Sequence, residues 1–221
     1  MTYDEVMAKL QSLGTEKGRK INERNGVSQA QFGAKMGDLR GIAKEIGSDP
    51  ELVVTLWNSG NFDAQMVATL LMKPKALDLA DVEELVAGIE SVPLADWFVS
   101  YVVKQHSQKE ALREPWMRSA HEITARLGWS LTAERICKTP DGLSLSGLLD
   151  RLDQEMPAAP TVVQWTMNYC LAEIGINFPE FRARALEMGE RIGAFRDYPT
   201  PKGCTSPFAP IWIAEMVSRQ G

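Results

Sequence analysis

Residues 49–74 read DPELVVTLWNSGNFDAQMVATLLMKP, and the punctuation in this stretch decides the fold. Asp49-Pro50 puts proline at the first position of a helix, where its missing N–H is no loss, and that segment ends near Trp57. Asn61 opens a second helix that runs to Met72 before Pro74. Within it Met66, Val67, Leu70 and Leu71 recur at helical spacing, so one face is apolar.

The same grammar extends both ways. Thr2 followed by Glu5 is a capping box for a helix over Tyr3–Leu13, which Gly14 stops. Val82, Leu85, Val86 and Ile89 form another helical stripe. Helices are further predicted over Leu94–Val103, Trp116–Leu127, Thr132–Cys137, Leu145–Met156, Thr161–Ile174, Glu180–Phe195 and Pro210–Val217. Strand signals are almost absent, and the proline-rich stretch Met156–Pro160 is a turn between neighbouring helices. The expectation is an all-α chain, one domain spanning 1–221, built from stacked antiparallel helical pairs. Periodicity alone leaves a globular bundle and a HEAT/armadillo-like solenoid both open, because no fixed repeat length is visible.

Composition narrows the class. Hydrophobic residues make up 44% and charged residues 24% of the 221, near globular averages, so disorder is disfavoured. The apolar stretches Ala64–Met72 and Val92–Val103 are too short or too interrupted to span a bilayer. The start, Met1-Thr2-Tyr3-Asp4-Glu5, lacks the basic and apolar regions of a signal peptide, which implies a cytoplasmic protein. Cys137, Cys170 and Cys204 are odd in number and widely spaced, as expected of reduced thiols. The net charge of −5 argues against indiscriminate coating of nucleic acid, which depends on cations neutralising phosphates. That acidity is local: residues 51–100 hold two lysines against eight acids, while residues 1–50 and 101–150 are each +1.

Common catalytic signatures fail on inspection. His121-Glu122 begins like a zinc-protease helix, but Ala125 stands where the second histidine belongs, and His106 is the one other histidine, so no metal is expected. Gly142–Gly147 lacks the order of a nucleophile elbow, and its serines read as helix caps. Gly33, Gly37 and Gly41 are followed by no phosphate-loop lysine, which leaves close packing or a bent loop. Trp97 and Tyr101 are four apart, as are Trp165 and Tyr169, so each pair shares a helical face. Such rings fill cores. With Arg118 in one groove they would also suit a sugar-phosphate ligand.

These residues carry a resemblance. Gly37-Asp38-Leu39-Arg40-Gly41-Ile42-Ala43-Lys44, Leu56-Trp57, Gln65-Met66-Val67-Ala68, Asp96-Trp97-Phe98, Trp116-Met117-Arg118-Ser119-Ala120 and Gln164–Leu171 occur in the order found in the AlkD-like DNA alkylation repair proteins, the HEAT-like-repeat DNA glycosylases. The likeness covers about residues 30–195. It implies an α-α superhelix whose concave basic surface cradles double-stranded DNA, alkylated or not, as a monomer without cofactor, and excision of N3- or N7-alkylpurines. It places Trp97, Tyr101, Arg118 and Tyr169 in the catalytic cleft and Arg40, Lys44 and Arg118 on the DNA, with Lys202, beyond the matched stretch, as a further candidate contact. Tyr101 departs from the family, which has an aspartate one turn after the tryptophan. An oxocarbenium-like transition state needs a fixed negative charge or an activated water, and a phenol at neutral pH supplies neither without strong perturbation. Asp96 and Glu122 are the nearest carboxylates in sequence, Glu122 reading mainly as an ion-pair partner one turn beyond Arg118.

The longest irregular segment, Asp197–Pro207, reads as an ordered loop tying down the last helix with its Trp212. Its functional alternative has Lys202 and amides near Gly203 on phosphate, or Cys204 as an exposed thiol. Three functions stay open: an alkylpurine glycosylase, a non-catalytic relative that binds damaged or branched duplex, and a solenoid whose groove receives a peptide.

Overall fold

Side-chain caps begin many of the helices in the computed structural model, which describes residues 1–220. Thr2 and Glu5 form the reciprocal capping box of α1 (Tyr3–Leu13). Asp49 accepts from the Leu52 amide to start α4 (Pro50–Asn58), and Asn61 accepts from Ala64 to start α5 (Phe62–Leu71). Each such cap contributes about 1 kcal/mol. The remaining helices are α2 (Glu16–Arg24), α3 (Met36–Ile46), α6 (Leu79–Ala87), α7 (Val92–Tyr101), α8 (Lys109–Met117), α9 (Glu122–Lys138), α10 (Leu145–Glu155), α11 (Thr161–Asn177), α12 (Pro179–Ile192) and α13 (Ala209–Ser218). Three 3-10 turns complete the order, and the described residues hold no strand. None of these helices is long and apolar enough to cross a membrane.

Two compact units divide the chain, Met1–Lys109 and the part from Glu110 onward. In the first, α5 is buried nearly all round, with Phe62, Ala64, Met66, Val67 and Ala68 at 1% exposure or less, so it is the central element rather than an amphipathic surface helix. Helices α1, α3, α4 and α7 pack against it. Its Asp63 is fully buried and accepts the backbone N–H groups of Phe32, Gly33 and Ala34 at 2.7, 3.2 and 2.9 Å, pinning the 25–35 connection to the core. Gly33, with φ 77°, is a bent loop: a Cβ there would lie 2.4 Å from the Arg19 nitrogen. His106 is buried. It accepts from the Gln108 amide at Nδ1, so Nε2 carries the proton donated to the Leu77 carbonyl.

In the second unit α9 and α11, seventeen residues each, form the centre, with Trp129, Ala133, Met167, Cys170 and Leu171 among the core. Helices α12 and α13 pack on α11. Gly128 lets α9 cross the end of α8 closely, since a Cβ would meet the Met117 nitrogen at 2.4 Å. A charge network closes one side: Glu110 accepts from Arg113 and Arg135, and Arg113 is itself buried against Thr132 and Met117. Burial pushes the Glu110 carboxyl up, but the two arginines outweigh it and hold it below its ordinary value.

Several boundaries differ from the sequence reading. A helix over Trp116–Leu127 does not form; α8 ends at Met117, and Arg118–His121 separate it from α9. Pro115 lies inside α8 near its end. The segment Thr132–Cys137 is the second half of α9 rather than a helix of its own. At the end of α12, Gly193 takes the left-handed conformation and Phe195 follows it at φ 61°, so the helix stops before Phe195.

Candidate nucleic-acid interface

Within the first unit, α3 and α7 bring three of the expected residues together. Trp97 and Tyr101 lie one turn apart with ring centroids 4.5 Å apart. The indole Nε1 donates to the Met66 carbonyl of α5 at 3.1 Å, which fixes the ring. Arg40 donates to the Tyr101 hydroxyl from Nε at 3.2 Å and from Nη2 at 3.1 Å, and its Cζ stands 4.8 Å from the Trp97 ring centre. Among the described residues the hydrogen bonds of these three side chains run to the Met66 carbonyl and to one another. Arg40 is exposed, so its charge reaches solvent while its side chain is held.

One turn along α3, Lys44 is exposed and enters no ion pair among the described residues. Gly37 and Gly41 on the same helix face open space, where an added Cβ would meet nothing within 4 Å. Gly37, Arg40, Gly41 and Lys44 therefore make a low, cationic helix face. Close packing and a bent loop explain Gly33 alone among the three glycines.

The second unit holds the other expected residues, and among the described residues Arg118 and Tyr169 have partners of their own rather than one another. Arg118 follows α8 with its side chain 69% exposed, paired to Glu114 at 3.2 Å. The expected pair with Glu122 is absent because the helix is interrupted between them; Glu114, one turn before Arg118, takes that place. Tyr169 on α11 stacks on Trp212 of α13 at 5.1 Å and 21°. Burial first, then Glu173, pushes its phenol up to about 12, so it stays neutral and is no base near pH 7. Trp165, on the same helix face, turns to other partners: Phe195 at 5.1 Å and Tyr198 at 5.4 Å. Lys202 is exposed and enters no ion pair among the described residues.

Two concavities in this unit escaped the sequence reading. One, about 240 Å³, is lined by Ser119, Glu122, Trp129, Glu155 and Met167. The other, about 280 Å³, lies under the 197–207 segment against Trp165 and Trp212. Of the two serines read as caps Ser144 is one, accepting from the Gly147 amide at 3.1 Å, whereas Ser146 lies inside α10 and its hydroxyl accepts from Arg184. Among the described residues no three His, Cys, Asp or Glu side chains gather as a metal site would require.

An all-helical HEAT-like repeat protein is the class these elements define. A solved structure, described as a new family of proteins related to the HEAT-like repeat DNA glycosylases with affinity for branched DNA structures, matches 100% of this chain and 95% of its own at a TM-score of 0.82 and 24% identity. The chain belongs to the DNA alkylation repair enzyme family, whose model matches residues 6–212. Relatives of nearly equal length are the uncharacterized proteins Lin0241 of Listeria innocua, 23% identical, and Lmo0209 of Listeria monocytogenes, 22% identical, each with 99% of both chains covered.

Proposed function

We propose that this protein binds double-stranded DNA at damaged or branched sites through the α3–α7 cluster and does not cleave the glycosidic bond there. The observation that carries this reading is the occupation of the position one turn after Trp97: it holds Tyr101 rather than a carboxylate, and Tyr101 accepts two hydrogen bonds from Arg40. A guanidinium held by a neutral oxygen and a ring face keeps its full charge for an outside anion, and its fork suits phosphate. Lys44 beside it and the two open glycines give a backbone phosphate room to approach. The affinity for branched DNA attributed to the structural neighbour supports the same substrate class.

Binding of labelled duplex and four-way junction at two salt concentrations tests this. Arg40→Ala is expected to lower affinity about tenfold and to flatten the salt dependence by about one phosphate contact. Salt-independent binding, or Arg40→Ala behaving as wild type, would sink the assignment. Release of free base from N-methylated duplex is the second arm, and none is expected.

One observation favours an excision reading. Glu122 is an exposed carboxylate without an ion pair among the described residues, lining the 240 Å³ cleft beside the buried Trp129. Base release that survives Tyr101→Phe but is lost in Glu122→Gln would establish that route.

A further inference from the structure

The 280 Å³ cavity under the 197–207 segment is built from flat apolar surfaces. Trp165, Tyr198 and Trp212 line it with Pro199 and Pro201, and Thr200, Thr205, Ser206 and the Cys204 thiol supply its few polar atoms. The rings are braced from behind. Trp212 stacks on Tyr169, and Trp165 meets Phe195 nearly at right angles and Tyr198 at a tilt. The loop itself is anchored, since Asn168 of α11 donates to the Pro207 carbonyl at 2.7 Å. Tyr198 is 47% and Trp165 36% exposed, so the cavity opens to solvent.

Its volume falls just below the range of pockets that enclose drug-sized ligands, about 300–1,000 Å³, which selects a single small ring system. Apolar planar walls with a sparse polar rim match a nucleobase, whose faces stack and whose edge carries hydrogen-bonding groups. Lys202, exposed and without an ion pair among the described residues, stands in the same loop for the attached phosphate; the other charge in that loop is Asp197. A proline-rich peptide also suits aromatic walls. The family's DNA context and the cation in the loop favour the base.

We propose that this cavity receives one unpaired base from bulged or branched DNA, stacked on Tyr198, with Trp165 and Trp212 as its other walls. The inference rests on the DNA-binding reading above and adds a second, independent contact to it. Paired bases stay in the duplex, so the cavity would make an unpaired base the feature that raises affinity. A stacked base contributes enough that its loss is about tenfold in affinity.

The test uses the full chain, a duplex carrying one unpaired fluorescent adenine analogue, and the same duplex fully paired. Quenching of the analogue on binding, with about tenfold tighter binding of the bulged form, is expected. Tyr198→Ala should remove the quenching and the preference while leaving affinity for paired duplex, and Tyr198→Phe should keep both because stacking does not need the hydroxyl. Equal binding of the two duplexes, unchanged in Tyr198→Ala and still dependent on Arg40, overturns this inference and leaves the DNA-binding reading standing. Absence of salt-sensitive DNA binding overturns both. A proline-rich peptide held by wild type and lost by Tyr198→Ala, without any bulge preference, assigns the cavity to protein recognition instead.

Discussion

Arg40 donates two hydrogen bonds to the Tyr101 hydroxyl, from a position 61 residues earlier in the chain. A carboxylate at the same place would pair with that guanidinium; the phenol leaves it charged and outward. The residue that departs from the family pattern is thus also the one that holds the cation.

Tyr101→Asp is therefore expected to confer weak release of alkylated base, where the proposed function expects none from the wild type. The carboxylate supplies the fixed negative charge that an oxocarbenium-like transition state requires. Free base appearing from N-methylated duplex with the variant, and not with wild type, is the outcome to look for. Duplex affinity should fall at the same time, because Arg40 would then be paired.

Asp63→Asn keeps the side chain's shape and leaves one acceptor oxygen for the three amides of Phe32, Gly33 and Ala34. Buried donors left unpaired cost about 1–3 kcal/mol each. Destabilisation of about 2–3 kcal/mol is expected in denaturant unfolding. A change below about 0.5 kcal/mol would contradict the clamp.

Gly128→Ala places a methyl 2.4 Å from the Met117 nitrogen, where backbone cannot yield as a flexible side chain would. Destabilisation of about 1–3 kcal/mol is expected. Gly41→Ala, which meets nothing within 4 Å, serves as the control and should be neutral or slightly stabilising through helix propensity.

Tyr169 gives a pH signature. Its phenol is raised to about 12 in the fold by burial and by Glu173, against an unfolded value near 10. The neutral form is favoured by folding, so this contribution is complete below about pH 10 and is lost as pH rises toward about 12. Phenolate absorbance should show one late-titrating tyrosine that disappears in Tyr169→Phe, and that variant should lose less stability over the same interval.

Local signals account for what was legible in the sequence. Caps at Thr2, Asp49 and Asn61 and the stripes between them gave helix starts that the structure keeps, because capping and periodicity act within a few residues. Trp97 and Tyr101 were legible as a pair for the same reason. Arg40 was expected on DNA, but its grip on Tyr101 depends on how α3 packs near α7, which no local pattern encodes. The α8–α9 break was hidden because no glycine or proline stands between Met117 and Glu122 to mark it. The aromatic cavity depends on left-handed turns at Gly193, Phe195 and Gly203 and on ring contacts across thirty or more residues, and a non-glycine residue such as Phe195 gives no warning of such a turn.

The Asp63 clamp carries a consequence for motion. Loop amides usually exchange their hydrogens with solvent quickly, since nothing but water holds them. Those of Phe32, Gly33 and Ala34 are bound instead to a side chain rooted in the most buried helix of the first unit. They are released only when that helix opens, so in deuterated water these three should keep their protons about as long as the amides of α5, while neighbours such as Gln29, whose amide carries no such bond, exchange early.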